Sequence, residues 1–318
     1  MDQRQEVREF LASRRAKITP QQAGLPAWGG DRRRVPGLRR EEVALLAGVS
    51  IDYYTRLERG NLDGVSDSVL AAIADALQLD EAERVHLDNL ARAVRTGPRR
   101  ARPRPRAITV RPELQRILDA VTEAPAYLRN GRRDLLAANQ LGLALYAPMY
   151  DQPDRPVNVA RFVFLDPRAR DFFLDWTTAA RDMVSALRVE AGKNPYDRAL
   201  SALVGELSTR SEEFATFWAS QNVRFHRSGL KAIHHPVVGD LHLSFEAMEL
   251  PADPGLSLVV YSAETGSPSD HGLRLLASWA ATTGTAPGTG RAGQRPDSTT
   301  QHRALPRQPD LPRKDPHP

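Results

Sequence analysis

Apolar residues recur three and four positions apart throughout residues 1–95, and this spacing predicts α-helices. Val7, Phe10 and Leu11 share one helical face, and residues 69–77 repeat the pattern. Strand-like alternation is absent from this stretch of the sequence. The first part of the chain is therefore expected to be entirely helical.

Residues that favour helix starts divide this region further. Ser50 precedes a helix beginning at Ile51, Ser66 precedes the next one, and Asp80 with Glu83 has the spacing of a capping box. Together with the apolar spacing, these residues predict five helices.

The pattern changes after the first hundred residues. Residues 241–248 and 256–261 alternate apolar and polar side chains between Gly and Pro, which predicts strands. Residues from about 168 to 220 keep the helical spacing. This second part is therefore expected to be α+β.

Two segments rich in Pro interrupt both patterns. Residues 97–107 combine repeated Pro with Arg and predict an extended linker. Residues 282–318 hold too few apolar side chains to form a core, which predicts a disordered tail. The expected division is a helical domain at 1–96, the linker at 97–107, an α+β domain at 108–281 and the tail at 282–318.

Positive charge is concentrated near the start of the chain, although the formal net charge of all 318 residues is only +5. Residues 1–106 hold 20 basic and 15 acidic residues, whereas residues 107–280 hold 18 and 21. This distribution favours a polyanion as the partner of the helical domain, with nucleic acid as the first candidate.

The composition also bears on compartment and redox chemistry. Cysteine is absent, which excludes disulfides and cysteine-based metal sites. The first ten residues are charged where a secretory signal needs an apolar stretch, and no run of 18 apolar residues occurs. We expect a cytoplasmic protein that does not interact with a membrane.

The sharpest motif spans residues 38–60, LRREEVALLAGVSIDYYTRLERG. Its first helix is expected to stop at Gly48, because a residue without Cβ adopts the left-handed turn easily. Ser50 then starts a second helix, which buries Tyr54 and Leu57 and leaves its other faces available to a DNA groove.

This motif resembles the phage-repressor-like (Xre-type) helix-turn-helix family over about residues 3–93. The resemblance implies a sequence-specific transcriptional regulator of double-stranded DNA whose second helix meets base edges. Arg56 is expected to contact a base, whereas Asp52 accepts from cytosine or orients Arg56 or Arg59 by an ion pair. The predicted DNA-binding residues of the second helix and its cap are Ser50, Ile51, Asp52, Tyr53, Thr55, Arg56 and Arg59.

A basic cluster precedes the motif on a loop marked by Gly and Pro. Phosphate contact is the favoured interpretation of this cluster, and a solvated loop is the alternative. Its members are Arg32, Arg33, Arg34, Arg39 and Arg40. Because one recognition helix covers too few base pairs to specify a genomic site, we also expect a homodimer.

Five segments of the second part resemble the MmyB-like regulator family, between about Ile108 and Trp279. They are residues 121–130, 135–146, 161–167, 234–241 and 261–267. The resemblance implies a PAS-like domain with a hydrophobic cavity that takes a fatty-acid-like effector. The expected fold is thus multidomain: an all-α five-helix helix-turn-helix domain, an α+β PAS-like domain and a disordered C-terminal tail.

Three polar residues in apolar segments are candidate anchors for a carboxylate, with structural hydrogen bonds as the alternative. Arg161 is the first choice, because it leads an apolar, strand-like run and its guanidinium is able to bind a carboxylate with two hydrogen bonds. Asn139 and His226 are the other two. Phe162, Trp176 and Trp218 are candidate walls of the cavity, although most aromatic residues here are expected to be core. No cofactor is expected beyond this effector.

Catalytic motifs are missing from the second part, so we expect no enzyme activity. Two alternatives stay open: an antitoxin-like adaptor whose second domain binds a protein, and a hydrolase or transferase that uses His234 or His235 as a base. A metal site at these histidines is disfavoured, because neighbouring residues of a strand point to opposite faces.

Overall fold

The computed structural model describes residues 3–26, 35, 37–96, 110–151, 156–224 and 227–283. The predicted linker lies outside these ranges, as does the predicted tail apart from residues 282 and 283. Four candidate site residues also lie outside them, namely Arg32, Arg33, Arg34 and His226.

Five helices lie among the described residues of the range 3–96, as the sequence predicts, and we call this part the head. They are α1 (Gln3–Lys17), α2 (Arg40–Leu46), α3 (Ile51–Glu58), α4 (Asp67–Ala76) and α5 (Glu81–Thr96). Ser50 and Ser66 cap α3 and α4 by accepting hydrogen bonds from the backbone N–H three residues later, at 3.1 and 3.3 Å. Asp80 and Glu83 form the expected reciprocal pair before α5, at 2.9 and 3.2 Å.

The core of the head forms where the apolar faces of these helices meet. Val7 and Phe10 of α1, Tyr54 and Leu57 of α3, and Leu87 of α5 are all buried. Fully burying a side chain of this size contributes roughly 1.5–3 kcal/mol. The predicted inward face of α1 and the inward positions of α3 are therefore confirmed.

The rest of the described chain is α+β. Its first helix and first two strands are α6 (Pro112–Ala120), β1 (Ala126–Asn130) and β2 (Leu135–Ala138). Seven helices follow: α7 (Gln140–Leu145), α8 (Ala147–Tyr150), α9 (Val159–Leu165), α10 (Ala169–Phe172), α11 (Trp176–Lys193), α12 (Arg198–Arg210) and α13 (Glu212–Ala219). The last elements are β3 (Ser228–His235), β4 (Gly239–Glu249), β5 (Leu256–Ser262) and α14 (Pro268–Thr283).

The strands form one antiparallel sheet in the order β2-β1-β5-β4-β3. β4 and β5 confirm the two strands predicted from alternation, and the expected α+β PAS-like fold is confirmed. Helix α6 covers one face of the sheet by packing Leu114 and Leu118 on Leu128 and Leu256. The helices between β2 and β3 contribute to the core on the other face.

The strand expected at Arg161 is wrong, because this residue lies in α9. Asn158 caps that helix by accepting a hydrogen bond from the backbone N–H of Arg161 at 3.0 Å. Val159, Phe162 and Val163 are buried together at the three and four spacing of a helix. Seven residues in two turns carry too little periodicity for the sequence alone to distinguish a helix from a strand.

No helix among the described residues combines the length and the apolar character needed to cross a membrane.

Candidate DNA-binding surface and ligand cavity

The turn between α2 and α3 has the geometry that the motif predicts. Gly48 has a φ of +65°, in the left-handed region that favours glycine. Val49 packs against the head core and thereby fixes the angle between the two helices. Gly60 ends α3 with a φ of +88°, and a Cβ there would collide with the backbone of Arg4.

Helix α3 presents a mainly polar side to solvent, because Tyr54 and Leu57 are buried in the core while Ile51 is its exposed apolar residue. Arg56 is exposed, and its guanidinium lies 4.9 Å from the centre of the Tyr53 ring. Stacking on an aromatic ring holds an arginine in an extended position at little cost. Ser50, Ile51, Asp52, Arg56 and Arg59 are exposed, and Tyr53 and Thr55 are half-buried.

A buried carboxylate ties α3 to the two helices beside it. Glu58 is 2% exposed, and its Oε1 accepts from Nε of Arg15 in α1 at 2.7 Å. Its Oε2 accepts from Arg40 in α2. This pairing raises the pKa of Arg40, first through its hydrogen bond to Glu58. The sequence analysis assigned Glu58 only to the motif; its role as a clamp between three helices needs the three-dimensional arrangement.

The two described arginines of the basic cluster therefore differ. Arg40 is half exposed but bound to Glu58, whereas Arg39 forms an ion pair with exposed Glu41, at 3.3 Å. Both remain accessible enough to meet a phosphate. Arg39 is the more available of the two, because its partner is in solvent and an exposed pair is weak.

The second part contains a cavity between the sheet and the helices packed on it. Its apolar walls come from the sheet and from helices that include α9 and α11, and its volume is about 40 Å³. Small-ligand pockets usually measure roughly 300–1,000 Å³. The apolar and aromatic lining residues are Tyr127, Tyr146, Val159, Val163, Phe173, Ala179, Met183, Ala186, Phe245, Val259 and Tyr261.

Three cationic side chains also line this cavity. Arg129 lies on β1, Arg133 follows β1 in the turn, and Lys231 lies on β3. Nε of Arg129 and Nε of Arg133 are buried, and neither has a hydrogen-bond partner among the described residues. Asp182 of α11 is the acidic lining residue. The cavity wall is therefore predominantly positive.

This environment lowers the pKa of the cations. The pKa of Lys231 is lowered to about 8, mainly by desolvation; Asp182 opposes this shift, and Arg129 and Arg133 add to it. Desolvation, with repulsion from Arg129, lowers the pKa of Arg133 to about 9. An anion that binds among crowded, partly dehydrated cations of this kind stabilises their charged forms.

Three tyrosines lie at the same cavity. Tyr146 and Tyr261 share a hydrogen bond between their hydroxyl groups at 2.5 Å, and the Tyr127 ring meets the Tyr146 ring edge-on at 5.5 Å. Burial raises the pKa of both Tyr146 and Tyr261. Both hydroxyls therefore stay protonated and offer neutral hydrogen bonds beside the cations.

The candidate anchors that the structure describes, Asn139 and Arg161, lie outside the cavity lining. Asn139 is buried as the cap of α7, where its Oδ1 accepts from the backbone N–H of Ala126 and Gly142 and its Nδ2 donates to two carbonyls. Arg161 is paired with Glu206, with 2.8 Å between Nη2 and Oε2. Neither lines the cavity. The third, His226, lies outside the described residues.

The candidate aromatic walls are all used in packing outside the cavity lining. Phe162 is buried edge-on against Phe172, and Trp218 stacks on Phe214 with 5.6 Å between ring centres. Trp176 donates its Nε1–H to the carbonyl of Val163 at 2.9 Å. These contacts are those of core packing, which is the role expected for most aromatic residues of this part.

The two neighbouring histidines point to different surroundings, as expected for a strand. His235 is buried, with its Nε2 3.0 Å from the carbonyl of Ala144. His234 is exposed, with its Nδ1 2.6 Å from a carboxylate oxygen of Asp240. Within the described ranges, no group of three or more His, Cys, Asp or Glu residues is arranged to hold a metal ion.

The sequence does contain a signal for the cavity cations. Tyr127 and Arg129 are two residues apart on a strand, so both point to the same, core-facing side. Lys231 likewise shares a side of β3 with Ile233, which is buried. A cation at a core-facing strand position needs a partner, and this is the pattern that marks the site.

Two families of known proteins match the chain. Residues 9–87 match a family described as a helix-turn-helix domain, and residues 110–276 match one described as the MmyB-like transcription regulator ligand binding domain. No curated protein matches the chain. Both families are regulatory rather than enzymatic. Because the second match alone covers more than half of the sequence, the chain belongs to the MmyB-like transcription regulators, with a DNA-binding helix-turn-helix domain followed by a ligand-binding domain.

Proposed function

We propose that this regulator binds its operator through the exposed side of α3 and responds to a fatty-acid-like anion bound in the cavity. The observation that carries the ligand class is the set of three cations on the cavity wall, against one acidic residue, Asp182. Two of these cations have a buried Nε that no described residue satisfies. A small charged head with a long apolar chain fits both features.

Each part of such a ligand has a matching part of the cavity. Arg129, Arg133 and Lys231 supply charge-assisted hydrogen bonds to a carboxylate, which are roughly twice as strong as neutral ones. The aromatic and aliphatic walls take up the chain, with about 0.8 kcal/mol gained for each CH₂ removed from water. Since the cavity measures only about 40 Å³, the walls must move apart to admit the chain.

Calorimetric titration with decanoate, decan-1-ol and acetate tests the ligand class. We expect decanoate to bind at least tenfold more tightly than decan-1-ol, and acetate not to bind, because both head and chain are needed. Native mass spectrometry of the purified protein then identifies a natural ligand. Equal affinity for decanoate and decan-1-ol contradicts the anionic head, and a stable protein partner without any small ligand favours the adaptor function.

On the DNA side, we propose that Arg56 and its exposed neighbours on α3 contact base edges while Arg39 and Arg40 contact phosphates. One such helix contacts only a few base pairs, so we also propose a homodimer in the cytoplasm that reads two half-sites. Selection of binding sites from random DNA, followed by sedimentation equilibrium on the selected operator, tests this. The expected result is a repeat spaced by a whole number of helical turns with two chains bound, and one chain on a single half-site contradicts it.

A further inference from the structure

Helix α11 is shared between the ligand cavity and the head. Ala179, Asp182, Met183 and Ala186, in its first three turns, line the cavity. Its later residues pack against α5 of the head. A single continuous helix of 18 residues therefore contacts both places.

The strongest link from α11 to the head is a fully buried arginine. Arg188 is 0% exposed, and its Nη1 lies 2.9 Å from Oε2 of Glu6 in α1 and 2.5 Å from Oε1 of Gln221. Its guanidinium also lies over the Trp218 ring, 4.1 Å from the ring centre. A buried ion pair with this geometry tolerates little displacement, because separating its charges leaves both of them desolvated.

The segment after α13 extends the same network. Gln221, which has a φ of +55°, accepts from Arg14 of α1 at its carbonyl and donates its Nε2–H to Glu9 at 2.9 Å. Val223 is buried in the core of the head. Arg188 and Gln221 thus hold α1 from two elements of the ligand-binding part.

A close contact between the backbone of α11 and a side chain of α5 completes the interface. Gly192 of α11 faces His86 of α5, and a Cβ at Gly192 would lie 2.6 Å from Nδ1 of that ring. His86 is 2% exposed, and its two ring nitrogens have no hydrogen-bond partner among the described residues. The surfaces fit tightly, so a shift of α11 must be passed on to α5 or must open a void.

Resting on the proposed ligand in the cavity, we propose that α11 transmits cavity expansion to the head: a chain entering beside Ala186 displaces α11, and Arg188 and Gly192 carry that displacement to α1 and α5. Operator affinity then depends on cavity occupancy, because α5 packs on α1, and Arg15 of α1 is paired with Glu58 of α3. Coupling between two sites in one protein typically changes affinity by about 5- to 150-fold.

The first test measures operator affinity with and without saturating decanoate. We expect a change of at least fivefold in the wild type and less than twofold in Glu6→Gln, which removes the charge facing Arg188 while keeping the shape. Glu113→Gln, an isosteric change at an exposed pair on α6, serves as the matched control and should keep the wild-type response. An equal response in Glu6→Gln and the wild type overturns the proposal.

The second test needs no ligand and separates the two proposals. Ala186→Val fills the cavity from α11, and its effect on operator affinity is measured alone and combined with Glu6→Gln. We expect the two effects to deviate from additivity by at least threefold, and additivity overturns the coupling. If Ala186→Val does not fold, Met183→Phe replaces it. Failure of decanoate to bind, with non-additivity retained, rejects the ligand class and leaves the coupling standing.

Discussion

The head and the ligand-binding part both display arginines, but in opposite environments. Arg56 of α3 and Arg59, which follows that helix, are exposed to water, where their charges stay hydrated in the folded state. Arg129 and Arg133 place a buried Nε beside an apolar cavity, where charge is costly unless it is paired. Arginine thus occurs both on a surface suited to a large polyanion and in a cavity suited to one small anion.

Because the two environments differ, substitutions of their arginines are expected to affect folding stability differently. Removing an exposed arginine from α3 leaves folding almost unchanged, because surface substitutions rarely alter stability by more than about 0.5 kcal/mol. Removing Arg133 relieves its desolvation and the repulsion between it and Arg129 in the free protein. Cavity cations are therefore expected to reduce stability in exchange for ligand binding, which is the usual conflict between the two at functional sites.

Arg129→Met should have the largest effect. We expect decanoate affinity to fall by about 2–3 kcal/mol, the cost of losing a hydrogen bond to a charged group, while the free energy of unfolding rises by about 1 kcal/mol. Calorimetric titration and urea unfolding measure the two quantities. Arg274→Met, at an exposed arginine of α14, is the control. A variant that loses stability and keeps its affinity would show that Arg129 is structural.

Arg56→Ala should come next and affect only the head. Operator affinity is expected to fall by about 1–3 kcal/mol, with relaxed preference at one base pair, because a side chain that reads a base edge is lost. Fluorescence anisotropy on the selected operator and its single-base variants measures this, with Arg274→Ala as the charge-matched control. The same loss on every DNA sequence would assign Arg56 to a phosphate instead.

The sequence predicted the head in detail because its signals are local. Ser50, Gly48 and the spacing of Tyr54 and Leu57 act within one or two turns of helix, and each adopts the expected geometry. The clamp at Glu58 escaped prediction, since its partner Arg15 lies 43 positions away in the chain. Local periodicity carries no information about such pairs.

The cavity was harder to predict because its residues come from distant segments. Arg129, Asp182 and Lys231 meet only after the sheet has formed and α11 has packed on it. Arg161 and Asn139 are polar residues in apolar segments of the sequence, which made them candidate anchors. Helix caps and ion-paired residues have the same sequence pattern, and Asn139 and Arg161 are residues of these two kinds. Strand alternation around Tyr127 was the more specific guide.

The pH dependence of ligand binding should distinguish the contribution of Lys231 from that of its arginine neighbours. Its pKa of about 8 means that Lys231 loses its charge within the range of pH 7–9, whereas Arg133, with a pKa of about 9, loses less of its charge. Because an anion prefers the protonated form, decanoate affinity should fall by up to about tenfold from pH 7 to pH 9. Lys231→Gln should weaken binding at pH 7 and flatten this profile. A profile as steep as that of the wild type would remove Lys231 from the site.

The smallest expected effect concerns Arg39 and Arg40, which distinguish a phosphate contact from a structural pair within the head itself. Arg39→Ala should weaken binding to operator and random DNA alike and reduce the slope of log affinity against log salt concentration by about 0.9, the value for one phosphate contact. Arg40→Ala should also lower the free energy of unfolding, because it leaves the buried Glu58 with one partner instead of two. If Arg39→Ala leaves the salt slope unchanged while Arg40→Ala alters it, the phosphate contact belongs to Arg40. In that case Glu58 holds the Arg40 guanidinium in position in the free protein, before DNA binds.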